Sequence, residues 1–145
     1  MTLKFVASLL IFFPTFVFAS DPLHGTTWKT IDDKTNKPTA IVKFNEDKNG
    51  KLNASIQKLL VATEESNCVN CTGQLQNKPL IGLMIVQNLQ KARNNEYDHG
   101  KILDPETGKI YDFNAKLSSD GKKLIGRGYT GISLVGRNQT WYRVN

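Results

Sequence analysis

At 145 residues with 39% hydrophobic side chains, the chain holds one ordinary domain rather than two. Its 19 Lys and Arg outweigh 13 Asp and Glu for a net charge of +6, but the cations are scattered, and no basic stripe with interleaved aromatics marks a nucleic-acid surface. Beyond the first 19 residues no run is long and apolar enough to span a bilayer as a helix.

The first element is a leader. Lys4 supplies a positive start, Phe5 to Phe18 is apolar apart from Ser8, Pro14 and Thr15, and Val17-Phe18-Ala19 ends it in a signal-peptidase pattern. Cleavage after Ala19 is expected, giving a signal peptide over 1–19 and a mature domain over 20–145. The run is shorter than the roughly 20 residues of a membrane-spanning helix, and no cysteine follows Ala19 to take a lipid anchor. The expected location is periplasmic or secreted. Loss of Lys4, the one charged leader residue, takes the charge from +6 to +5. A basic exported protein meets anionic envelope surfaces or acidic ligands more readily than nucleic acid.

From Gly25 onward, short alternating segments are separated by turn residues, as in an all-β protein. Thr26 to Ile31 reads as a strand, stopped by Asp32-Asp33-Lys34-Thr35-Asn36-Lys37-Pro38 before Ala40 to Phe44 resumes the pattern. Asp47-Lys48-Asn49-Gly50 is a hairpin signal leading into Lys51 to Leu60. A long polar segment with Cys68 and Cys71 then precedes Leu83 to Val86, and Lys91 to Asn95 turns the chain. Glu96 to Leu103, Lys109 to Leu117, Lys123 to Thr130 and Leu134 to Val144 complete eight candidates. Eight short antiparallel strands favour a closed up-and-down β-barrel, with a two-sheet sandwich as the alternative.

Alternation over Lys109–Leu117 puts Tyr111, Phe113, Ala115 and Leu117 on one, inward, face. With Ser118 to Gly121 as a four-residue loop, Leu117 pairs with Lys122, Ala115 with Leu124, Phe113 with Gly126 and Tyr111 with Gly128, setting large rings against glycines. Contact between Phe113 and Gly126 is the expected sign of that packing, and the same register turns Arg127 and Tyr129 outward.

Gly25-Thr26-Thr27-Trp28, Gly82-Leu83-Met84-Ile85, Asp104-Pro105-Glu106-Thr107-Gly108-Lys109-Ile110-Tyr111, Arg127-Gly128-Tyr129 and Gly136-Arg137-Asn138-Gln139-Thr140-Trp141 form an ordered series. Together with Cys68-x-x-Cys71 it resembles the exported bacterial family known as domain of unknown function 2147, over essentially the whole mature chain. The resemblance implies a lipocalin-like or calycin-like barrel in a Gram-negative periplasm or secreted fraction. It brings no reaction, cofactor or catalytic set, and fold transfers better than function. The opening motif is also similar to the Gly-x-Trp of lipocalins, whose indole closes the barrel floor against an arginine of the last strand, here Arg143. The spacing in this chain is one residue longer.

Cys68 and Cys71 are the only cysteines, and outside the cytoplasm so close a pair is expected as an intrachain disulfide. A structural staple is preferred to a redox motif, because redox CxxC pairs start a helix in an α/β fold, whereas this pair lies between strands. Zinc needs four ligands, and His24 and His99 lie far from the cysteines. Those two histidines supply no evident triad, so no enzyme, metal or cofactor is expected.

In the last strand Arg137, Gln139, Trp141 and Arg143 share a face opposite Asn138, Thr140, Tyr142 and Val144. If the first face lines a cavity, its guanidiniums and indole suit a carboxylate or other anion. If it faces solvent it is a basic stripe, and an internal carboxylate would also satisfy a buried arginine. The candidate ligand-binding residues are Trp28, Phe44, Tyr111, Phe113, Arg137, Gln139 and Trp141. The expected function is non-covalent binding of a small apolar or amphipathic ligand, anionic ones included. An envelope or secreted protein-interaction module with no internal ligand is the alternative. A lysozyme inhibitor is disfavoured because this chain's positive charge would repel a basic lysozyme.

Overall fold

The computed structural model describes residues 1–2, 10–131 and 136–145. Eight antiparallel strands follow the chain: β1 (Thr27–Ile31), β2 (Pro38–Glu46), β3 (Leu52–Leu59), β4 (Met84–Arg93), β5 (Glu96–Leu103), β6 (Ile110–Leu117), β7 (Lys123–Tyr129) and β8 (Gly136–Arg143). Each pairs with its sequence neighbour and β1 pairs with β8, so the sheet closes into an up-and-down barrel rather than splitting into a sandwich. No helix among the described residues is long and apolar enough to cross a membrane. Leu10 to Phe18 belong to no strand and lie exposed, Phe12 at 93% and Phe18 at 92%. Lys4 of the expected leader and Leu134 of the expected last strand lie outside the described residues.

Two elements differ from the sequence expectation. β4 runs on to Arg93, so the turn shrinks to Asn94-Asn95, with Asn95 at φ +60°. The reason is a bulge: Ile85 and Val86 are buried side by side and the next buried residue is Leu89, with Asn88 at φ +55°, which breaks the two-residue period of a regular strand. In the β6–β7 hairpin the register is shifted by two residues, pairing Leu117 with Leu124, Ala115 with Gly126 and Phe113 with Gly128. Ser118 sets this register by donating its N–H to Lys123 O and accepting from Lys123 N at its Oγ, so the loop starts one residue later than expected. An even shift keeps every side chain on its face. The Phe113 ring still lies over Gly126, where a Cβ would sit 2.6 Å from its Cε2.

The core is the barrel interior. Phe113 stacks on Trp141 at 6.0 Å between ring centroids, and Phe44 meets Trp141 at 6.4 Å. Trp28, Val42, Leu52, Ala54, Val86, Leu89 and Leu124 fill the space around them, all buried. Glycine makes room where two large groups cannot coexist: at Gly100 a Cβ would lie 2.8 Å from Leu89 Cδ1.

One end of the barrel is closed by the segment before β1. Leu23 is fully buried, and Gly25, at φ +75°, bends the chain so that its N–H reaches Phe44 O at 2.9 Å. Thr26 Oγ1 donates to Leu23 O at 2.6 Å and accepts from Trp28 Nε1 at 2.7 Å, tying the plug to the first strand. Arg143 lies over the Trp28 ring at 5.8 Å, a cation–π contact that completes this floor. Beside it Tyr97 Oη donates to Asp21 Oδ1 at 3.0 Å, while Lys91 Nζ stands 3.7 Å from the same carboxylate.

Two outcomes follow from this packing. Gly126→Ala places a methyl against a ring held by Trp141 and is expected to cost about 1–3 kcal/mol, read as a lower urea midpoint, whereas an unchanged midpoint would mean the ring is free to move. Burial, then the Asp21 charge, pushes the Tyr97 hydroxyl well above its ordinary range. A raised folded value favours the neutral form, so this stabilisation is complete below about pH 10, the ordinary tyrosine value, and is lost as pH rises beyond it. Urea unfolding at pH 8 and pH 11 is expected to lose more stability in the wild type than in Tyr97→Phe; parallel losses would contradict the coupling.

Candidate functional site

Strand direction puts the β1–β2 turn, the β3–β4 insert, the β5–β6 loop, the end of β7 and the start of β8 at the end opposite the floor, which is the mouth. Between floor and mouth the expected ligand-binding residues separate into two sets. Trp28, Phe44, Phe113 and Trp141 are each at most 2% exposed and pack on one another and their aliphatic neighbours in the lower barrel. Tyr111, Gln139 and Arg137 lie nearer the mouth, where Tyr111 and Gln139 are half-buried and Arg137 is exposed.

Alternation about buried Trp141 places Arg137 and Gln139 on the inward side of β8, opposite Gly128 and Gly126 of β7. The Phe113 ring lies over Gly126, and Ile102 and Tyr111 lie against Gly128. Tyr111 pairs with Ile102 of β5, which is also half-buried, and together they supply an apolar wall above Phe113. Gln139 Oε1 accepts from Trp141 Nε1 at 3.2 Å, so the filled lower barrel orients the first polar group above it.

The Arg137 guanidinium meets an internal carboxylate, with Nε 3.0 Å from Asp33 Oδ2. Asp33 is presented by a hydrogen-bonded turn. The neighbouring Asp32 Oδ1 accepts from the N–H groups of Thr35 and Lys34 at 2.6 and 3.0 Å, and the Thr35 backbone bond foremost holds the Asp32 carboxyl below the usual carboxylate range. Thr30 Oγ1 and Thr39 Oγ1 share a 2.6 Å hydrogen bond across the base of that turn. Sequence reasoning missed Asp33, Ile102 and Thr30. The one signal for Asp33 is the need of an inward arginine for an anion, which does not say where along the chain the anion lies.

The cysteines form a disulfide, Cα to Cα 5.3 Å, and both are buried. A sulfur pair so buried lacks the access that exchange needs, which agrees with a staple, and closing so short a loop contributes about 2 kcal/mol. The insert is anchored on the β5–β6 loop: Asn70 Nδ2 donates to Glu106 O at 2.7 Å, and Gly108 approaches so closely that a Cβ would lie 1.8 Å from Asn70 O. Ile85 and Leu103 project from β4 and β5 to the side opposite Val86 and Ile102, yet they are buried at 7% and 4% and join Cys68, Cys71 and Leu83 in the apolar cluster. The insert therefore adds an outer layer to the barrel wall beside the mouth.

The histidines stand apart. His24 Nδ1 accepts Glu46 N–H at the floor, and His99 lies exposed beside Asp98 on β5. Among the described residues no three His, Cys, Asp or Glu side chains are placed to hold a metal.

The fold is similar to that of protein HP1028 from the human pathogen Helicobacter pylori, which belongs to the lipocalin family. The match has a TM-score of 0.74 at 21% identity and covers 88% of this chain and 85% of that one. No curated protein matches the sequence. The model of the bacterial family DUF2147, uncharacterized proteins conserved in bacteria, matches residues 26–143, which hold every strand, and the chain belongs to that family of lipocalin-like barrels.

Proposed function

We propose that this protein is an exported carrier that binds a small apolar or amphipathic ligand, anionic ones included, non-covalently in the mouth half of its barrel, without enzymatic activity. The observation that carries the reading is the change of character along the interior. Below, aromatic rings fill the barrel; above, Tyr111 and Ile102 stay half-buried against Gly128, with half-buried Gln139 and the inward arginine Arg137 on the neighbouring strand at the mouth. A ligand's apolar part would lie against Tyr111 and Ile102 and its polar end would meet Gln139 and Arg137. A carboxylate or phosphate there exchanges with Asp33 for the guanidinium, so the internal ion pair keeps Arg137 solvated and oriented until an anion replaces it. Trp28, Phe44, Phe113 and Trp141 then act as the fixed base of the site. Export rests on the leader pattern, and a mature chain beginning at Ser20 in the periplasmic or secreted fraction is its expected sign.

Titration of a fluorescent fatty acid and of a neutral apolar dye tests the site. Saturable binding of one probe per chain is expected for both. Arg137→Ala should weaken the fatty acid about tenfold or more while sparing the neutral dye, since hydrogen bonds to charged groups contribute about 1.5–3 kcal/mol. Asp33→Asn should tighten the fatty acid by removing the competing carboxylate. Failure of both probes to saturate would sink the carrier reading; loss of selectivity alone would remove Arg137 from the site.

A further inference from the structure

The outer wall of the barrel is electrostatically divided. On the side of β5 and β6 the cations are neutralised by neighbours: Arg93 Nε lies 3.0 Å and Lys116 Nζ 3.7 Å from Glu96, and Lys101 pairs with Asp112. On the other side, β7, β8, β1 and β2 contain a single acid, Glu46, at the floor end of β2, where it accepts the Asp21 N–H. The outward positions of these four strands carry Lys123, Arg127, Lys29 and Lys43 with no acid among them. None of Lys29, Lys43 and Lys123 pairs with a carboxylate among the described residues, and Arg127 Nη1 donates to Asn138 Oδ1.

The register arranges these groups. Lys29 pairs with Tyr142 and Tyr142 with Lys123, while Lys43 lies beside Thr27 on the adjoining row. Tyr142 is 41% exposed between its two lysines, with Lys123 Nζ 5.9 Å from its ring centroid, and Ile125 and Val144 stand exposed nearby at 43% and 56%. Asp120, in the β6–β7 turn beside Lys123, has its carboxylate engaged by Ser118 Oγ and Lys122 N–H.

We infer that this basic, acid-free face of β7–β8–β1–β2 docks the protein on an anionic phospholipid surface. Two features favour headgroups over an acidic protein. The free cations of the face are lysines, hydrated point charges that suit a diffuse field of phosphates rather than the forked geometry of a fixed carboxylate. Its exposed tyrosine and aliphatic side chains lie among the charges, the mixture that settles at the headgroup level. The face stands clear of Tyr111, Gln139 and Arg137, so docking does not depend on the carrier reading.

Flotation with vesicles tests this, using the chain from Ser20, which keeps the floor segment and every strand while removing the apolar leader that would itself enter lipid. Binding is expected to phosphatidylglycerol/phosphatidylcholine vesicles at low salt, to fall as salt is added, and to be absent with phosphatidylcholine alone. Lys29→Gln/Lys43→Gln/Lys123→Gln should weaken it about 100-fold, at about fivefold per lysine. Lys58→Gln/Lys78→Gln/Lys109→Gln, which makes the same change of charge on the mouth side, should weaken it far less. Unchanged near-ultraviolet circular dichroism would establish that both variants stay folded, and retained fatty-acid binding by the first would separate docking from ligand uptake. Absence of binding to phosphatidylglycerol vesicles, or equal losses in the two triple variants, would overturn the proposal.

Discussion

Closure of the sheet is carried by a short seam between β1 and β8. β7 and β8 pair at seven positions, whereas β1 and β8 pair only at Trp28 with Arg143 and Lys29 with Tyr142. The seam therefore leans on contacts beyond the ladder. Val144 N–H donates to Thr27 O at 2.8 Å, Arg143 covers the Trp28 indole, and that indole is bonded through Thr26 to the Leu23 plug. At the other end the β1–β2 turn is joined to β8 by the Asp33–Arg137 ion pair. The two ends are unequal. The floor is buried, apolar and hydrogen-bonded, while the mouth contact is a part-exposed ion pair, of a kind that contributes little to stability and is screened by salt. The fold thus has a buried, hydrogen-bonded end and an end joined by a part-exposed ion pair.

An eight-stranded barrel is just wide enough to be filled by its own side chains. Here Trp141, Phe113 and Phe44 occupy the lower half, with Gly126 admitting the Phe113 ring and Gly100 admitting Leu89. That packing leaves the half-buried Tyr111, Ile102 and Gln139, above the rings, as the less closely buried part of the interior. The disulfide insert thickens the wall over β4 and β5 and stays anchored to the β5–β6 loop.

Much of this was legible in the sequence because alternation and turn chemistry are local. The eight strands, their inward faces and the ring-over-glycine packing at Gly126 follow from a two-residue period interrupted by Asn, Asp and Gly. The features that escaped are those without a local signal. The bulge at Asn88 ends the alternation in β4 without ending the strand. The β6–β7 register turns on which serine closes the loop, and Ser118 and Ser119 cannot be told apart by composition. For the site, the aromatic residues were identified by type, yet type does not distinguish a ring that lines a cavity from one that fills it. The partner of Arg137 lies over a hundred residues away, and its identity is a property of the closed barrel alone.

The central claim is that the mouth half of this barrel holds a small molecule. Native mass spectrometry of the mature protein purified from its own cell envelope, followed by denaturation and identification of what is released, tests it directly. A stoichiometric adduct with an apolar or amphipathic body is the predicted result. A chain that carries nothing, and stays empty when offered lipid and amphipathic extracts, would contradict the claim and leave the surface of the barrel as its working part.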